Sequence, residues 1–291
     1  MRSLIEPLRI TDGRRFRLRE IDPDDTGGIP SKDKAADLLA HGLDALRSGQ
    51  EKLYAQGTRA LLLIFQAMDA AGKDSTIEHV MSGVNPQGCQ VSSFKAPSAG
   101  ELAHDFLWRT TVRLPERGRI GVFNRSYYEE VLVVRVHPDL LARQRLPPAL
   151  MSRRIWAERF DDINAFERHL HRSGVTVLKF FLHVSKEKQR ERFLARIDTP
   201  SKNWKFSAAD VREREHWRKY MAAYEDMIRH TAAPDAPWFV VPADHKWFTR
   251  LVVAGAIAET LKGLDLRFPA IDPDQRKTLA AARAALRRKG A

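Results

Sequence analysis

Four short runs of the chain are apolar without alternation: ALLLIFQ (60–66), RIGVFN (119–124), VTVLKFFLH (175–183) and WFVVP (238–242). QVSSF (90–94) is a weaker fifth. Runs of this length, bounded by turn residues, predict strands buried on both faces of a parallel sheet. Between them, apolar residues recur at helical spacing over 31–57, Pro148–Arg172, Ser185–Ile197, Ser207–His230 and Lys246–Lys262. Ser31 is placed to cap the first of these helices and Gly57 to end it. Strands alternating with helices predict an α/β sandwich around a mainly parallel sheet. Residues 1–30 are polar and turn-rich (DPDDTGGIP) and read as an irregular arm. Residues 275–291 carry six Lys/Arg and no acid, and read as a short basic helix or a frayed tail. No internal repeat or low-complexity linker marks a second domain, so 1–291 is expected to be a single domain.

Composition narrows the function more than the fold. With 291 residues and 43% hydrophobic content the chain can bury a substantial core. No run approaches the roughly 18 apolar residues of a membrane span. The N-terminus lacks the apolar core of a signal peptide. A single cysteine, Cys89, rules out an intrachain disulfide, and together these features favour the cytoplasm. A formal net charge of +12 points to a polyanionic partner: nucleic acid, anionic lipid or a phosphate-rich substrate.

The stretch after the first strand, QAMDAAGKDST (66–76), has the context of a phosphate-binding loop: a strand, a Gly-containing turn, then Gly-Lys opening a helix. The amides of Ala70, Ala71, Gly72, Lys73, Asp74 and Ser75 would face the anion, Lys73 would reach its oxygens, and Thr76 offers a hydroxyl. The loop also carries two acids. A carboxylate beside a phosphate is repulsive unless a cation lies between them, so Asp69 reads as a metal ligand or base. Asp74 reads equally well as a helix cap.

At the end of the RIGVF strand comes NRSYYEE, in the place where ligands of open α/β sheets collect. Arg125 suits phosphate oxygens because its planar fork binds two at once. Asn124 and Ser126 are neutral hydrogen-bonders and Glu129 and Glu130 carboxylates, whereas Tyr127, Tyr128 and the VLVV that follows read as structural. Farther on, Lys186–Lys219 holds eleven Lys/Arg against six Asp/Glu. Arg192 and Arg196 share a helix face, and the helix breaks at DTPSKNWKF before restarting at Ser207. Two helices joined by a basic loop resemble a lid that closes over phosphates.

With these segments in view, the chain resembles the polyphosphate kinase 2 family. FQAMDAAGKDSTIEHVMSGVNPQG, GVFNRSYYEEVLVVRVHP and RFLARIDTPSKNWKFSAADVREREHW carry the likeness, which runs from about residue 10 to residue 268. The resemblance implies a P-loop-kinase-like, three-layer α/β/α sandwich with a helical lid over 185–220, assembled as a homodimer or homotetramer. It implies reversible phosphoryl transfer between inorganic polyphosphate and AMP, ADP or ATP with Mg²⁺ or Mn²⁺, and no nucleic-acid or membrane partner. By the family's motifs the catalytic set falls on Asp69, Lys73, Arg125 and Glu129, with Asp69 the metal ligand. Phosphate or nucleotide binding falls on the loop from Ala70 to Thr76, on Asn124 and Arg125, and on the lid residues Arg192, Arg196, Lys202 and Lys205. One branch of the family reads Asp-Arg-Ser at 124–126 and Asn at 129. The NRSYYEE form is similar to the branch that phosphorylates both nucleoside mono- and diphosphates, and with Asn124 in place of an acid the metal leans on Asp69, phosphates and water. An ordinary kinase with ATP as donor is the nearest rival, and it leaves the extended basic surface unexplained. A nucleic-acid binder would need a stacking platform or groove-reading helix, which the chain does not present; Trp204 and Phe206 read as a base-stacking or lid-packing pair.

Overall fold

The computed structural model describes residues 1–288, the side chains of Lys205 and Arg288 excepted. The apolar runs become the centre of one sheet: β1 (Arg9–Ile10), β2 (Ala60–Ala67), β3 (Cys89–Ser93), β4 (Ile120–Asn124), β5 (Val175–His183) and β6 (Trp238–Pro242), in the order β1-β6-β5-β2-β4-β3. All neighbours pair in parallel except β1, which runs antiparallel to β6. Every residue of β2 from Ala60 to Gln66 is buried, as a strand covered on both faces requires. One helical layer holds α1 (Lys32–Gln56), α2 (Lys73–Met81) and α7 (Lys246–Gly263); the other holds α3 (Ile155–Arg172) and α6 (Trp217–Thr231). The three-layer sandwich is the architecture the strand–helix alternation predicts. Ser31 caps α1 by accepting from the Lys34 amide, and Gly57 ends it with φ 62°. Among the described residues no helix is long and apolar enough to cross a membrane.

Register decides where chemistry can gather. Phe65 lies opposite Asn124 on β4 and Phe180 on β5, and Leu182 lies opposite Val241 on β6. The segments that follow β2, β4, β5 and β6 therefore leave the sheet along one carboxyl edge, the edge at which such sheets bind ligands.

Inside the strand VTVLKFFLH is a lysine with no exposed surface. Lys179 Nζ donates to Glu167 Oε2 of α3 (2.6 Å), to the Thr231 carbonyl at the end of α6 (2.6 Å) and to Tyr128 Oη (3.1 Å). Tyr127 and Tyr128 both donate to Glu167 Oε1, at 2.8 and 2.7 Å. Burial drives the lysine's affinity for its proton down, and the Glu167 charge opposes that. The network joins β5, both helices of one layer and the turn that follows β4, so it fixes where residues 124–130 stand.

Three expectations change. The arm is ordered: residues 2–5 form a helical turn, β1 extends the sheet, and Ile5, Leu8, Phe16 and Leu18 enter the core. Its polar composition hid four apolar anchors spaced too irregularly for any period. The helix expected from Pro148 starts at Ile155; Pro148–Leu150 is a 3-10 turn after Pro147, whose ring and that of Pro148 favour a turn. The helix expected over Ser207–His230 divides into α5 (Ala208–Glu213), a 3-10 turn (Arg214–His216) and α6. At that break Glu213 accepts from Tyr220 Oη (2.8 Å) and lies 2.9 Å from His137 Nε2, and Arg214 bonds Gln189 and the Lys186 carbonyl. Side-chain ties on both sides of the kink outweigh the local helical preference. The segment expected to act as a lid comprises α4 (Lys186–Ile197), a 3-10 turn (Pro200–Lys205) and α5. The basic tail is a helix, α8 (Pro273–Arg288), while the remainder of the expected tail, 289–291, and the Lys205 side chain lie outside the described residues.

Replacing Lys179 by Met leaves the Glu167 carboxylate buried against two hydroxyls and no cation. The variant is expected to lose about 3 kcal/mol of stability, read as a fall in the urea midpoint with an unchanged slope.

Candidate active site

The loop between β2 and α2 turns twice through the left-handed region, at Ala70 (φ 61°) and Gly72 (φ 101°). Glycine is the residue that accepts the second value without strain; a Cβ there would also approach Ser75 Oγ, Arg192 Nη1 and Lys246 Cε within 3.9 Å. The carbonyls of Asp69, Ala70 and Ala71 turn toward α4. The amide of Ala71, expected to face an anion, donates instead to Met68 O at 3.2 Å, which leaves that role to the first amides of α2, those without intrahelical partners. Each carbonyl is met from α4. Gln189 Nε2 donates to Asp69 O (2.9 Å), and Arg192 Nη1 donates to Ala70 O (3.1 Å) and Ala71 O (2.7 Å). Arg192 Nη2 reaches across to Ala243 O (2.7 Å) and Asp244 O (2.9 Å), past the end of β6. The guanidinium expected to grip phosphate thus holds four backbone oxygens in place. Ser75 Oγ folds back to the Gly72 carbonyl at 2.9 Å, and Thr76 is buried beneath the loop with its amide on Gly72 O.

Opposite the loop stands the segment after β4. Arg125 also adopts a left-handed backbone (φ 65°), with its amide on Phe65 O. The turn throws the side chain back over the site, where Nη2 lies 3.1 Å from Asp69 Oδ1 and Nη1 3.4 Å from Glu129 Oε2. Gln66, in the amide orientation that satisfies both ends, donates to Glu129 Oε1 (2.8 Å) and accepts from Ser126 Oγ and N. Asn124 Nδ2 donates to Asp74 Oδ1 (2.7 Å), so that acid is tied to β4. Lys73 opens α2 among these groups. Burial and the nearby Arg125 lower its pKa, while Asp74, Glu129 and Asp69 oppose the change. Burial raises the Glu129 pKa against the pull of Arg125 and Lys73; Glu129, ahead of Asp69, holds the Arg125 proton more firmly. Without an anion present, the cations and carboxylates of this cluster compensate one another.

A second gathering is mainly cationic. Lys246, first residue of α7, stands beside Gly72, and its pKa is lowered by burial and then by Arg192, Arg250, Lys202 and Arg196. Arg196 lies 3.9 Å from Asp210 of α5, and Lys202 is exposed on the 3-10 turn. Asp210 in turn feels the charge of Asp69: burial raises its pKa and Asp69 raises it further. Trp204 and Phe206 are both exposed on the lid, at 78% and 37%, so they do not pack as a buried pair.

The structure therefore brings Asp69, Lys73, Asp74, Asn124, Arg125 and Glu129 into one cluster and Arg192, Arg196 and Lys202 to its border. Sequence reasoning missed Lys246, Gln189, Gln66 and Asp210. Lys246 was findable by the argument used for Lys73, since it also opens a helix after a buried strand. Gln189 and Gln66 carry no local signal, because their partners are distant in sequence.

As to a metal, among the described residues no three His, Cys, Asp or Glu side chains gather where they could hold an ion by themselves. The two carboxylates of the loop, Asp69 and Asp74, fit a cation that takes one or two carboxylates and completes its shell with phosphate oxygens and water, as Mg²⁺ does. Both loop carboxylates reach solvent, Asp74 exposed and tied to Asn124, and Asp69 with its side chain 31% exposed and Oδ1 toward Arg125.

The sequence matches the family described as Polyphosphate kinase 2 over residues 30–269. It is 54% identical over 275 residues to an ADP-polyphosphate phosphotransferase of Rhodopseudomonas palustris, covering 91% of this chain and 95% of that one. An AMP/ADP-polyphosphate phosphotransferase of Meiothermus ruber is 44% identical over 266 residues, covering 91% and 96%. The structure superposes on a crystal structure of polyphosphate kinase 2 from Arthrobacter aurescens with a TM-score of 0.85, at 40% identity and with 95% and 96% of the two chains covered.

Replacing Arg192 by Met, near in size but without donors, should loosen the loop without touching its own residues. Amide hydrogen exchange over 70–73 is expected to accelerate at least about tenfold, a loss of roughly 1.4 kcal/mol in local stability, while exchange in β2 stays unchanged.

Proposed function

The chain belongs to the polyphosphate kinase 2 family, and from that premise we propose that it transfers phosphoryl groups reversibly between inorganic polyphosphate and AMP or ADP, with Mg²⁺ as the metal. One observation supports this reading above the rest: cations meet the phosphate loop from both sides. Arg125 lies over Asp69 and Lys246 beside Gly72, where burial lowers the lysine's pKa and Arg196 and Lys202 of the neighbouring segment are close enough to lower it further. A small acceptor does not need so many cations. A chain of phosphates does, because each added unit brings charge that must be compensated.

In this reading the polyphosphate end lies on the loop amides and along these cations. Arg125 exchanges Asp69 and Glu129 for phosphate oxygens, and Lys73 neutralises charge on the group in transit. The terminal P–O bond of the polymer breaks as an oxygen of the acceptor's terminal phosphate bonds to phosphorus; the polymer departs one phosphate shorter, carrying the electron pair on its oxygen. Kinases of this family are generally metal-dependent. Asp69, released by Arg125, would hold the cation, which supplies charge neutralisation between phosphates. Glu129, held by Gln66 and facing Arg125, keeps that guanidinium aimed at the site. The acceptor phosphate is already ionised, so the chemistry rests on positioning and charge rather than on a base. NRSYYEE at 124–130 supports both mono- and diphosphate acceptors, in keeping with the name of the Meiothermus ruber relative. The protein is read as one domain with arm, lid and basic tail, and as a homo-oligomer.

The direct test supplies the protein with polyphosphate, Mg²⁺ and either AMP or ADP, and follows ADP and ATP by chromatography. Product is expected from both acceptors; its absence with polyphosphate, together with turnover on ATP and a small acceptor, would transfer the assignment to an ordinary kinase. Asp69→Asn should lower turnover about 10²- to 10³-fold with an unchanged melting temperature, and an active variant would remove Asp69 from the mechanism.

A further inference from the structure

Helix α8 takes no part in the site, yet its sequence is far from neutral. It is built to stand by itself. Asp272 Oδ1 accepts from the amides of Asp274 and Gln275, Gln275 Oε1 returns a bond to the Asp272 amide, and Pro273 opens the first turn. Five alanines follow, the best helix formers. From Gln275 to Arg287 every residue is exposed, Leu279 at 56% and Leu286 at 75%. The family match ends at residue 269, before the helix begins.

The charges have an order along this rod. Arg276, Arg283 and Arg287 are spaced seven and four residues apart, so at about 100° per residue they fall within roughly 40° of one another on one face. Lys277 pairs with Asp274 at 3.1 Å; among the described residues the side chains of Arg276, Arg283 and Arg287 have no acidic partner. Like charges at this spacing repel, and one helical turn separates Arg283 from Arg287. After Asp274 the sequence has no acid at all. A stripe of this kind is relieved by an anion that extends along it. A membrane surface would ask for a broad apolar face with aromatic residues, and this helix has two leucines and alanines. A pairing of two copies would ask for three or four heptads, and Leu279–Leu286 spans one.

We propose that α8 is a second binding site for inorganic polyphosphate, holding the polymer away from its reacting end. The inference rests on the phosphotransferase reading above. Its geometry sets a length requirement. α7 runs from Lys246 at the phosphate loop to Gly263, eighteen residues or about 27 Å, and α8 begins beyond its far end. Arg267, just before α8, is held by Gln56 next to the start of β2, at the sheet edge opposite the loop, so a polymer reaching from the first turn of α8 to the loop has that length to cover. For a chain long enough to do so, binding at α8 makes engagement of the loop intramolecular and raises its effective concentration there.

The test is a charge reversal in the full-length protein, Arg276→Glu with Arg283→Glu and Arg287→Glu, which keeps good helix formers at all three positions. KM and kcat are measured with long-chain polyphosphate and with linear hexaphosphate as donors, ADP as acceptor, alongside mass by light scattering. The expected result is a KM for the long chain raised about tenfold, with kcat and the hexaphosphate KM unchanged. The inference is overturned by an unchanged long-chain KM, by equal shifts for both donors, or by a changed assembly mass, which would assign the helix to a second copy. Wild-type protein that turns over neither donor would instead bring down the phosphotransferase reading, and this inference with it.

Discussion

A loop can show its amides to an anion only if its carbonyls are satisfied elsewhere. In this protein that requirement is met from outside the loop, by Gln189 and Arg192 of α4 on the carbonyls of Asp69, Ala70 and Ala71. Because Arg192 also holds Ala243 and Asp244, the same guanidinium sets the distance between the ends of β2 and β6. Lys246 owes its place beside Gly72 to that span. The held carbonyls of the loop and the closeness of Lys246 thus both lean on Arg192, with Gln189 holding the Asp69 carbonyl. Arg192 belongs to α4, so a displacement of that helix would change the shape of the loop.

The electrostatic arrangement has the same economy. Within the cluster Arg125 lies between Asp69 and Glu129, and Asp74 is tied to Asn124. Arginine between two carboxylates keeps a dense group of charges compatible with folding, and it gives an incoming phosphate a partner that can be exchanged rather than created. Around Lys246 the compensation is thinner: Arg196 has Asp210 at 3.9 Å, Arg192 is occupied by backbone carbonyls, and Lys202 is exposed. The site therefore has a balanced half, where transfer is proposed, and a more cationic half, where a polyanion would lie.

The parts of this arrangement that were legible in the sequence share one property: their signal is local. The uninterrupted run 60–66, the Gly-Lys dipeptide after it and the caps of α1 each rest on residues within one turn of each other. What was not legible depends on pairs far apart in the chain. Nothing around position 179 announces that a lysine inside a buried strand will find Glu167 on a helix and the carbonyl of Thr231. Nothing around 189 or 192 reveals that their partners are loop carbonyls about 120 residues earlier. The arm was misjudged for a related reason, since a two-residue strand is too short to carry a period and takes its conformation from β6. Residue identity at 124–130 pointed to the right place, but the left-handed turn at Arg125 that aims the side chain is a tertiary outcome.

That turn limits what can occupy position 125. A left-handed backbone favours Gly, Asn or Asp, whereas the place between Asp69 and Glu129 calls for a planar cation with two donors. The two demands select different amino acids, and no residue meets both at ease. Arginine satisfies the chemical one and carries the conformational one as a standing strain of about 1 kcal/mol or more. Position 125 is therefore a poor target for stability engineering: substitutions that relax its backbone discard its charge, and the lysine that keeps the charge gives up the fork without relieving the backbone.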